Sequence, residues 1–432
     1  MNAKRCVLAY SGGLDTSAII VWLREQAYEV HAVLVDVGQD EDLHGLCDKA
    51  LRFGAASAEV RDARPAMFKS VIPMAIALSA TYEGDYRLGT ALARPFIALE
   101  QVRRARELGG ATLIHGATGK GNDQIRFEFA YRSLAPDCPV LAPWKTWSFA
   151  GRRDLVKYLQ SKGCNDDFEV VKTFSLDENL WHLSIEGGPL EDAAALVDVP
   201  AILETVSDRF AGKAEPAGAP PMLTLAFHRG VPVALNGVRA PLSDLIANLN
   251  RDYRHAPWAW DFVIENRFTG IKSRGIYVNP AAKVLQLAVD ALARCCLNKP
   301  TYDEYAELGR RYGGILYRGE YFSDQRLSAE ASAAAMAQRL TGEVTIQLQP
   351  VPYVSRIDVA DSIFQSELAT FEAGAYDHAD AKGFIALSWL SSIGRPFAEQ
   401  EHADPLEAAD DTPPDFCKTQ SLHRRGLVSS AL

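Results

Sequence analysis

Residues Ser11 to Ser17 place two adjacent glycines among small hydroxyl side chains, directly after a short apolar run that is typical of a buried strand. Consecutive glycines let the backbone turn tightly and direct several N–H groups at one point. A helical pattern follows from about Thr16, so its dipole and the nearby hydroxyls would add to this cradle. An isolated Ser-Gly-Gly is more often a plain turn, but its position between strand and helix favours a loop for a di- or triphosphate. It is not a Walker A loop, since no Gly-Lys-Ser/Thr follows.

A second glycine-rich loop, His115 to Glu128, leads into a cluster of polar side chains. Its glycines would let the backbone approach a ligand closely. Asn122 and Asp123 stand where a helix is expected to begin, with Arg126 about one turn later on the same side. A carboxylate with an amide can bind an α-amino group, and a guanidinium binds a carboxylate, so the cluster suits zwitterionic amino acids. Helix caps and a surface Arg126–Glu128 ion pair are the alternative for each residue taken singly.

These segments resemble known families. Ser11 to Ser17 resembles the loop of the ATP pyrophosphatases, which split ATP between its α and β phosphates. Residues 82–95 resemble the segment that holds citrulline in the argininosuccinate synthase family, and residues 115–128 match that family's most specific signature almost residue for residue. Shorter matches at 175–180, 184–188, 265–267, 272–277 and 380–384 extend the resemblance over roughly residues 5 to 395.

The resemblance implies a two-step condensation that uses ATP with Mg²⁺. The ureido oxygen of citrulline would attack the α-phosphorus of ATP, which gives a citrullyl-adenylate and pyrophosphate. The α-amine of aspartate would then displace AMP to give argininosuccinate. Such a reaction needs aligned ligands and neutralised charge rather than a nucleophilic side chain, and the metal would bridge the phosphates.

The same resemblance assigns site residues by position. The ATP site would contain Ala9, Tyr10, Ser11, Gly12, Gly13, Leu14, Asp15, Thr16, Ser17, Val35 and Gly116. Aspartate would contact Thr118, Asn122 and Asp123, and citrulline would contact Tyr86, Ala91, Asn122, Arg126, Ser175, Ser184, Glu265 and Tyr277. The expected catalytic residues are Asp15, Asn122, Asp123 and Arg126. Asp123 and Glu265 are the expected ligands of ammonium groups, and Arg126 that of a carboxylate. No histidine spacing predicts a protein metal site, and His182 is expected to be a packing residue.

Strand and helix alternate through the first 150 residues, which predicts an α/β fold with a doubly wound parallel sheet and ligands at its carboxyl edge. By resemblance, this sheet is of the adenine nucleotide α-hydrolase type, and a mixed α+β synthetase domain and a C-terminal helical arm follow it. The expected boundaries are 1–168 for nucleotide binding, 169–375 for the synthetase domain, 376–398 for an oligomerisation helix and 399–432 for an acidic, disordered tail. Family members are homotetramers, so a homotetramer is expected here.

Composition excludes few classes of protein. The 432 residues carry 45 Lys and Arg against 55 Asp and Glu, but seven of those acids lie in 399–415, which leaves 45 bases and 48 acids elsewhere. The chemistry of the clusters, rather than this charge, argues against nucleic acid as a partner.

No apolar run reaches the roughly 18 residues of a membrane span, so no membrane partner is expected. The seven cysteines are irregularly spaced, which is typical of reduced thiols. A strand begins near Cys6 and leaves no room for a signal peptide. Both observations predict a cytoplasmic protein.

One departure from the family pattern leaves an alternative open, and two other classes of protein are considered. The family usually has a Gly-Arg-hydrophobic-Asp stretch before Glu265, with Asp three residues ahead, whereas here Pro257 to Asp261 replaces it and Asp261 is four ahead. This change could alter how the citrulline pocket closes, and it allows a paralogue that acts on a citrulline-like substrate. A tRNA thiolation enzyme would need a reactive cysteine pair, for which only Cys295 and Cys296 are adjacent. An ATP sensor without activity would not need the amino-acid cluster.

Overall fold

The computed structural model describes residues 4–370, except 120, 165, 167, 169–172 and 207–220, together with residues 376–393. Contacts within the chain define two compact units, Met1–Phe364 and Gln365–Leu432. The predicted disordered tail, 399–432, lies outside the described residues.

A five-stranded parallel sheet begins the first unit, with strand order β3-β2-β1-β4-β5. Its strands are β1 (Lys4–Ala9), β2 (Tyr28–Asp36), β3 (Ser57–Asp62), β4 (Thr112–Ile114) and β5 (Val140–Leu141). The connecting and flanking helices are α1 (Leu14–Glu25), α2 (Leu43–Arg52), α3 (Arg64–Lys69), α4 (Val71–Ala77), α5 (Gly89–Glu107), α6 (Asp123–Leu134) and α7 (Arg152–Ser161). The chain order reverses between β1 and β4, which is where ligands bind in folds of this kind.

Helices cover both faces of this sheet, as the alternation along β1 illustrates. Cys6 and Leu8 point into a core that α1 and α7 complete, whereas Val7, between them, points into a second core with α5. Because both faces are buried, the central part of β1 is apolar throughout, whereas the edge strand β3 alternates polar and apolar residues. The predicted doubly wound parallel sheet is therefore confirmed.

Two antiparallel sheets and further helices follow in the first unit. One sheet has the order β11-β12-β7-β6, and the other has the order β10-β9-β8-β13-β14. Their strands are β6 (Ser175–Glu178), β7 (Leu183–Glu186), β8 (Met222–His228), β9 (Val231–Leu235), β10 (Val238–Arg239), β11 (Trp260–Asn266), β12 (Lys272–Val278), β13 (Gly342–Gln347) and β14 (Tyr353–Asp358). The helices are α8 (Val199–Thr205), α9 (Leu242–Tyr253), α10 (Pro280–Cys296), α11 (Lys299–Tyr317) and α12 (Asp324–Ala337). This mixture agrees with the predicted α+β part of the chain.

Helix α11 packs unusually closely against the backbone that precedes Tyr82. A Cβ atom on Gly309 would lie 2.3 Å from the carbonyl oxygen of Leu78, and one on Gly313 would lie 2.0 Å from that of Thr81. Only glycine permits this approach. The packing brings Tyr317, at the end of α11, into a parallel stack with Tyr82, with ring centroids 3.6 Å apart.

The second unit contains two described helices, α13 (Ser366–Ala369) and α14 (Asp380–Ser392). The predicted helix within 376–398 is thus present as α14. None of its residues is buried, and Phe384, Leu387 and Leu390 are among its exposed apolar side chains.

Candidate active site

A cavity of about 1000 Å³ opens at the carboxyl edge of the parallel sheet, where β1 and β4 lead into the two glycine-rich loops. The four-stranded antiparallel sheet also contributes residues to its walls, from strands β6, β7, β11 and β12. The cavity therefore lies at the point where the strand order reverses, as the sheet topology predicts.

Most of the residues that the sequence assigned to ligands line this cavity. They are Ala9, Tyr10, Ser11, Gly12, Gly13, Asp15, Thr16, Val35, Tyr86, Gly116, Thr118, Asn122, Asp123, Arg126, Ser175, Ser184, Glu265 and Tyr277. Three others, Leu14, Ser17 and Ala91, do not line it. The side chain of Leu14 enters the core beside α1, the hydroxyl of Ser17 lies 3.0 Å from that of Tyr10, and Ala91 is buried in α5.

The phosphate loop adopts a conformation that requires glycine. Gly12 has φ of +73°, and a Cβ atom there would lie 2.4 Å from Cδ2 of Leu46. Gly13 precedes α1, which begins two residues earlier than the predicted start near Thr16. The backbone N–H of Ser11 donates a hydrogen bond to the Thr16 hydroxyl oxygen over 3.4 Å. This bond joins the first residue of the loop to the first turn of α1. The first turn of α1 faces a cavity that could hold phosphate groups.

Asp123 is held between two guanidinium groups. Arg94 Nε donates to its Oδ2 over 2.8 Å, and Arg126 Nη1 donates to its Oδ1 over 2.8 Å. Burial alone would raise the pKa of the Asp123 carboxyl, but the two arginines outweigh it and lower that pKa to about 2. Arg94 also donates to Asp177. Any ammonium group that binds Asp123 must share its oxygens with both arginines.

Arg94 and Asp177 are site residues that the sequence prediction missed, although both lie within segments that match the family. The surface ion pair considered for Arg126 and Glu128 is wrong. Arg126 is buried and pairs with Asp123, whereas Glu128 faces His115 at 3.5 Å and Lys145.

Asn122 ties α6 to the turn between β11 and β12. Its Oδ1 accepts a hydrogen bond from the backbone N–H of Phe268 over 2.8 Å, and its side chain makes no helix-cap bond. Helix capping is therefore the wrong interpretation of this side chain. Because Oδ1 is occupied, the Asn122 amide has only its N–H groups to offer a ligand, and the Tyr317 hydroxyl lies beside them.

Glu265 forms the base of a pocket with aromatic walls. Its Oε1 accepts hydrogen bonds from the hydroxyls of Tyr277 at 3.3 Å and Ser273 at 3.2 Å. Its buried Oε2 has no hydrogen-bond partner of normal geometry among the described residues, and the Tyr317 hydroxyl lies beside the same carboxylate. Burial raises the pKa of the Glu265 carboxyl. The rings of Tyr86 and Tyr277 lie 4.8 Å apart beside it. A buried carboxylate oxygen without a donor, next to aromatic rings, is suited to a substrate ammonium group.

His182 supports this pocket from behind. It is buried, stacks on Tyr277 with ring centroids 5.7 Å apart, and places Nε2 3.3 Å from the hydroxyl of Thr90. Burial, with Arg94 and Arg126 nearby, lowers the pKa of His182 to about 3. The ring is therefore neutral at physiological pH, in agreement with its predicted role in packing.

Glu186 and Arg267 also line the cavity and were not assigned to a ligand from the sequence. Arg267 Nη2 donates to Glu186 Oε2 over 3.3 Å. Burial raises the pKa of Glu186 to about 7, since Arg267 only partly offsets it and nearby carboxylates add to it. Glu186 lies two residues after Ser184 on β7, so strand alternation could have placed both on the cavity face.

The displaced aspartate, Asp261, forms ion pairs instead of lining the cavity. Its carboxylate accepts from Arg87 Nε at 3.1 Å and from Lys283 Nζ at 2.5 Å. An aspartate three residues ahead of Glu265 would lie on the opposite face of β11, whereas four residues place both on one face. Asp261 thus anchors Arg87, the neighbour of the cavity residue Tyr86.

The adjacent cysteines do not form a reactive pair at the cavity. Cys296 is buried and Cys295 is partly buried at the end of α10, and neither lines the cavity. Burial raises the pKa of the Cys296 thiol to about 11. Both features disfavour the thiolation enzyme considered above.

Fold and cavity together define a nucleotide-binding α/β protein with a charged pocket for amino acids beside its phosphate loop. The family model for the arginosuccinate synthase N-terminal HUP domain matches residues 5–165, and the model for the C-terminal domain matches residues 174–393. The argininosuccinate synthase of Erwinia tasmaniensis is 39% identical over 410 residues, which cover 93% of this chain and 99% of that protein. The argininosuccinate synthase of Edwardsiella ictaluri is 40% identical over 90% of this chain and 96% of its own. The chain belongs to the argininosuccinate synthase family.

Similarity to solved structures is lower. An NAD⁺ synthetase from Burkholderia pseudomallei matches with a TM-score of 0.22 and 20% identity, over 38% of this chain and 77% of that one, which is too little to bear on function. Among the described residues, no helix has both the length and the apolar character of a membrane span.

Proposed function

We propose that this protein is a C–N bond-forming ligase that condenses citrulline with aspartate, using ATP and releasing AMP and pyrophosphate. The observation that carries the proposal is one cavity that joins a phosphate loop to two charged pockets of the kind that amino acids need. Family membership supports the same activity, because the curated relatives at about 40% identity are argininosuccinate synthases. A paralogue with another substrate has no such support.

ATP would bind along the first loop, with its phosphates against Ser11, Gly12 and Gly13 and its α-phosphorus directed toward the second loop. Backbone N–H groups and the start of α1 would stabilise the phosphate charge. Among the described residues, no group of three or more His, Cys, Asp or Glu side chains could hold a metal ion. Mg²⁺ would arrive on the nucleotide phosphates, with Asp15 as the one carboxylate of the loop, and the ion would neutralise phosphate charge.

The two amino acids would occupy the charged pockets. Citrulline would place its ammonium group at Glu265 and its carboxylate at Arg126, with Tyr86, Ser175, Ser184 and Tyr277 around it. Aspartate would contact Thr118, Asn122 and Asp123. The buried Oε2 of Glu265, which has no donor among the described residues, and the arginine-paired Asp123 support these assignments.

Alignment of the ligands would then drive two displacements. The ureido oxygen of citrulline attacks the α-phosphorus and pyrophosphate leaves, which gives the citrullyl-adenylate. The α-amine of aspartate attacks the activated carbon and AMP leaves. Fixed N–H groups and guanidiniums stabilise the charge that develops, so no covalent enzyme intermediate is required.

We further propose a cytoplasmic homotetramer in which α14 joins the subunits. The exposed apolar side chains of this helix support association, since apolar side chains in water favour contact with another surface.

Omission of single substrates tests the function. With ATP, citrulline and aspartate present, we expect AMP, pyrophosphate and argininosuccinate in equal amounts, and we expect no AMP when either amino acid is left out. A panel of citrulline analogues at equal concentration tests the substrate. Faster turnover with an analogue than with citrulline would instead support the paralogue, and AMP formation that ignores citrulline would contradict the proposal.

A further inference from the structure

We propose that Glu186 is the base that removes a proton from the α-ammonium group of aspartate before the second displacement. The inference rests on the proposed function and adds a residue to it. An ammonium group has no lone pair, so the amine that attacks the adenylate must first lose a proton to a group within the cavity.

The position of Glu186 suits this role. It is the last residue of β7, where it pairs with Ser175 of β6 on one side and with Gly275 of β12 on the other. Ser184, two residues earlier, also lines the cavity. The Glu186 side chain keeps 37% of its surface exposed, so a ligand can reach its carboxylate, whereas Glu265 is a buried residue.

Three other carboxylates around the pocket accept more hydrogen bonds from side chains than Glu186 does. Asp123 accepts from Arg94 and Arg126, and Asp177 accepts from Arg94 and from the hydroxyl of Thr90. Glu265 accepts from two hydroxyls and lies deeper. Glu186 has one such contact among the described residues, the 3.3 Å bond from Arg267. Of these four carboxylates, Glu186 is therefore the one most able to accept a substrate proton.

The charges that face Glu186 come from several elements. Arg267, beyond the end of β11, favours its ionised form, while Glu265 of β11, Asp123 of α6 and Asp177 of β6 oppose it. Together with burial, these raise the pKa of Glu186 to about 7. A base with a pKa near the working pH is both ionised often enough to act and basic enough to hold a proton.

Protons and electrons balance in the proposed step. One N–H bond of the ammonium breaks, its electron pair stays on nitrogen, and the proton moves to Glu186. The nitrogen pair forms the new C–N bond, and the C–O bond to the phosphate breaks with its electrons on AMP. The attacking nitrogen loses a second proton to water as AMP leaves, and the product is a guanidinium. Glu186 returns its own proton to water before the next cycle.

The test separates the two half-reactions in the purified full-length enzyme. Citrulline-dependent exchange of labelled pyrophosphate into ATP, without aspartate, reports the first step, and argininosuccinate formation reports both. For Glu186→Gln we expect exchange within about threefold of wild type and condensation at pH 7 reduced by about 10² or more. The exposed Glu191→Gln is the matched control and should leave both rates unchanged.

The pH profile distinguishes a base from a ligand contact. Condensation by Glu186→Gln should rise toward pH 9, because free aspartate then deprotonates without help, while the wild-type rate levels off above about pH 7. Glu186→Asp should recover part of the lost rate at pH 7. Equal loss of exchange and condensation, or condensation by Glu186→Gln close to wild type, would overturn the assignment. Absence of citrulline-dependent exchange in wild type would instead overturn the proposed function itself.

Discussion

Asp123 illustrates how a site residue depends on groups far away in the sequence. Its carboxylate stays ionised in a buried setting because Arg94 and Arg126 lie against it, each 2.8 Å from one oxygen. Without those arginines, burial would favour the neutral acid. The three side chains therefore act as one charged unit, and a change in one alters the position and charge of the others.

Replacement of Asp123 with Asn tests this unit. The amide keeps the shape but removes the charge that orients both arginines, so we expect kcat/KM to fall by about 10²–10³. Folding should be retained, since Arg94 keeps Asp177 as a partner. Steady-state kinetics with a thermal melt measures both effects. The exposed Asp137→Asn is the control, and unchanged turnover in Asp123→Asn would contradict the assignment.

The raised pKa of Glu186 makes a prediction about stability that is independent of its role as a base. Below pH 4.5 the carboxyl is neutral in the folded and unfolded states alike, whereas between pH 4.5 and about 7 only the folded state keeps the proton. Wild type should therefore lose stability as pH rises through this window, and Glu186→Gln should not. Melting temperatures of both proteins from pH 4.5 to 8 measure the effect. We expect the difference in melting temperature between Glu186→Gln and wild type to grow up to about pH 7 and then to level off. A difference that stays constant with pH would exclude the raised pKa of Glu186.

At the scale of elements, the phosphate loop is held by backbone conformation rather than by side chains alone. Gly12 has a positive φ and lies against Leu46, while the adjacent Gly13 has φ of −72°. A Cβ atom on Gly13 would come no closer than 3.5 Å to the Ser11 hydroxyl oxygen. The two neighbouring glycines are thus under different constraints.

Alanine substitutions at Gly12 and at Gly13 should have different effects on stability and on ATP binding. Gly12→Ala forces a left-handed conformation on a residue with Cβ and a contact with Leu46, so we expect a loss of about 1–3 kcal/mol of stability and at least a tenfold higher KM for ATP. Gly13→Ala should melt within about a degree of wild type. Equal melting temperatures for the two variants would show that the loop does not need the positive φ of Gly12.

Local signals in the sequence predicted the glycine loops, the start of α6 and the parallel sheet because a few neighbouring residues determine them. The contacts between elements were not predictable. Asn122 bonds the backbone of Phe268, 146 residues away, and Arg94 reaches Asp123 across 29 residues. The family motifs also did not predict which of their side chains face the cavity. Ala91 belongs to such a motif, but it lies on the core side of α5.

At the scale of the whole molecule, the cavity lies within the first unit, while the second unit carries an unburied apolar helix. Four of its side chains, Phe384, Ile385, Leu387 and Leu390, are between 61 and 73% exposed. Exposed apolar surface of this extent favours association in water.

Charge on this helix should weaken the proposed tetramer. For the double variant Leu387→Glu and Leu390→Glu we expect a smaller species, because two carboxylates would be buried in the subunit contact. Light scattering after gel filtration measures the mass. Ser391→Glu, a polar position on the same helix, is the control for added charge. A double variant with wild-type mass would contradict a role for α14 in assembly.

Oxygen transfer from citrulline to AMP tests most directly whether the protein forms a citrullyl-adenylate. The enzyme is incubated with ATP, aspartate and citrulline that carries ¹⁸O in its ureido group, and the ¹⁸O content of each product is measured by mass spectrometry. Because the ureido oxygen attacks phosphorus and the C–O bond breaks later, we predict one ¹⁸O atom in AMP and none in pyrophosphate or argininosuccinate. Unlabelled AMP, or AMP released without citrulline, would contradict the proposed reaction.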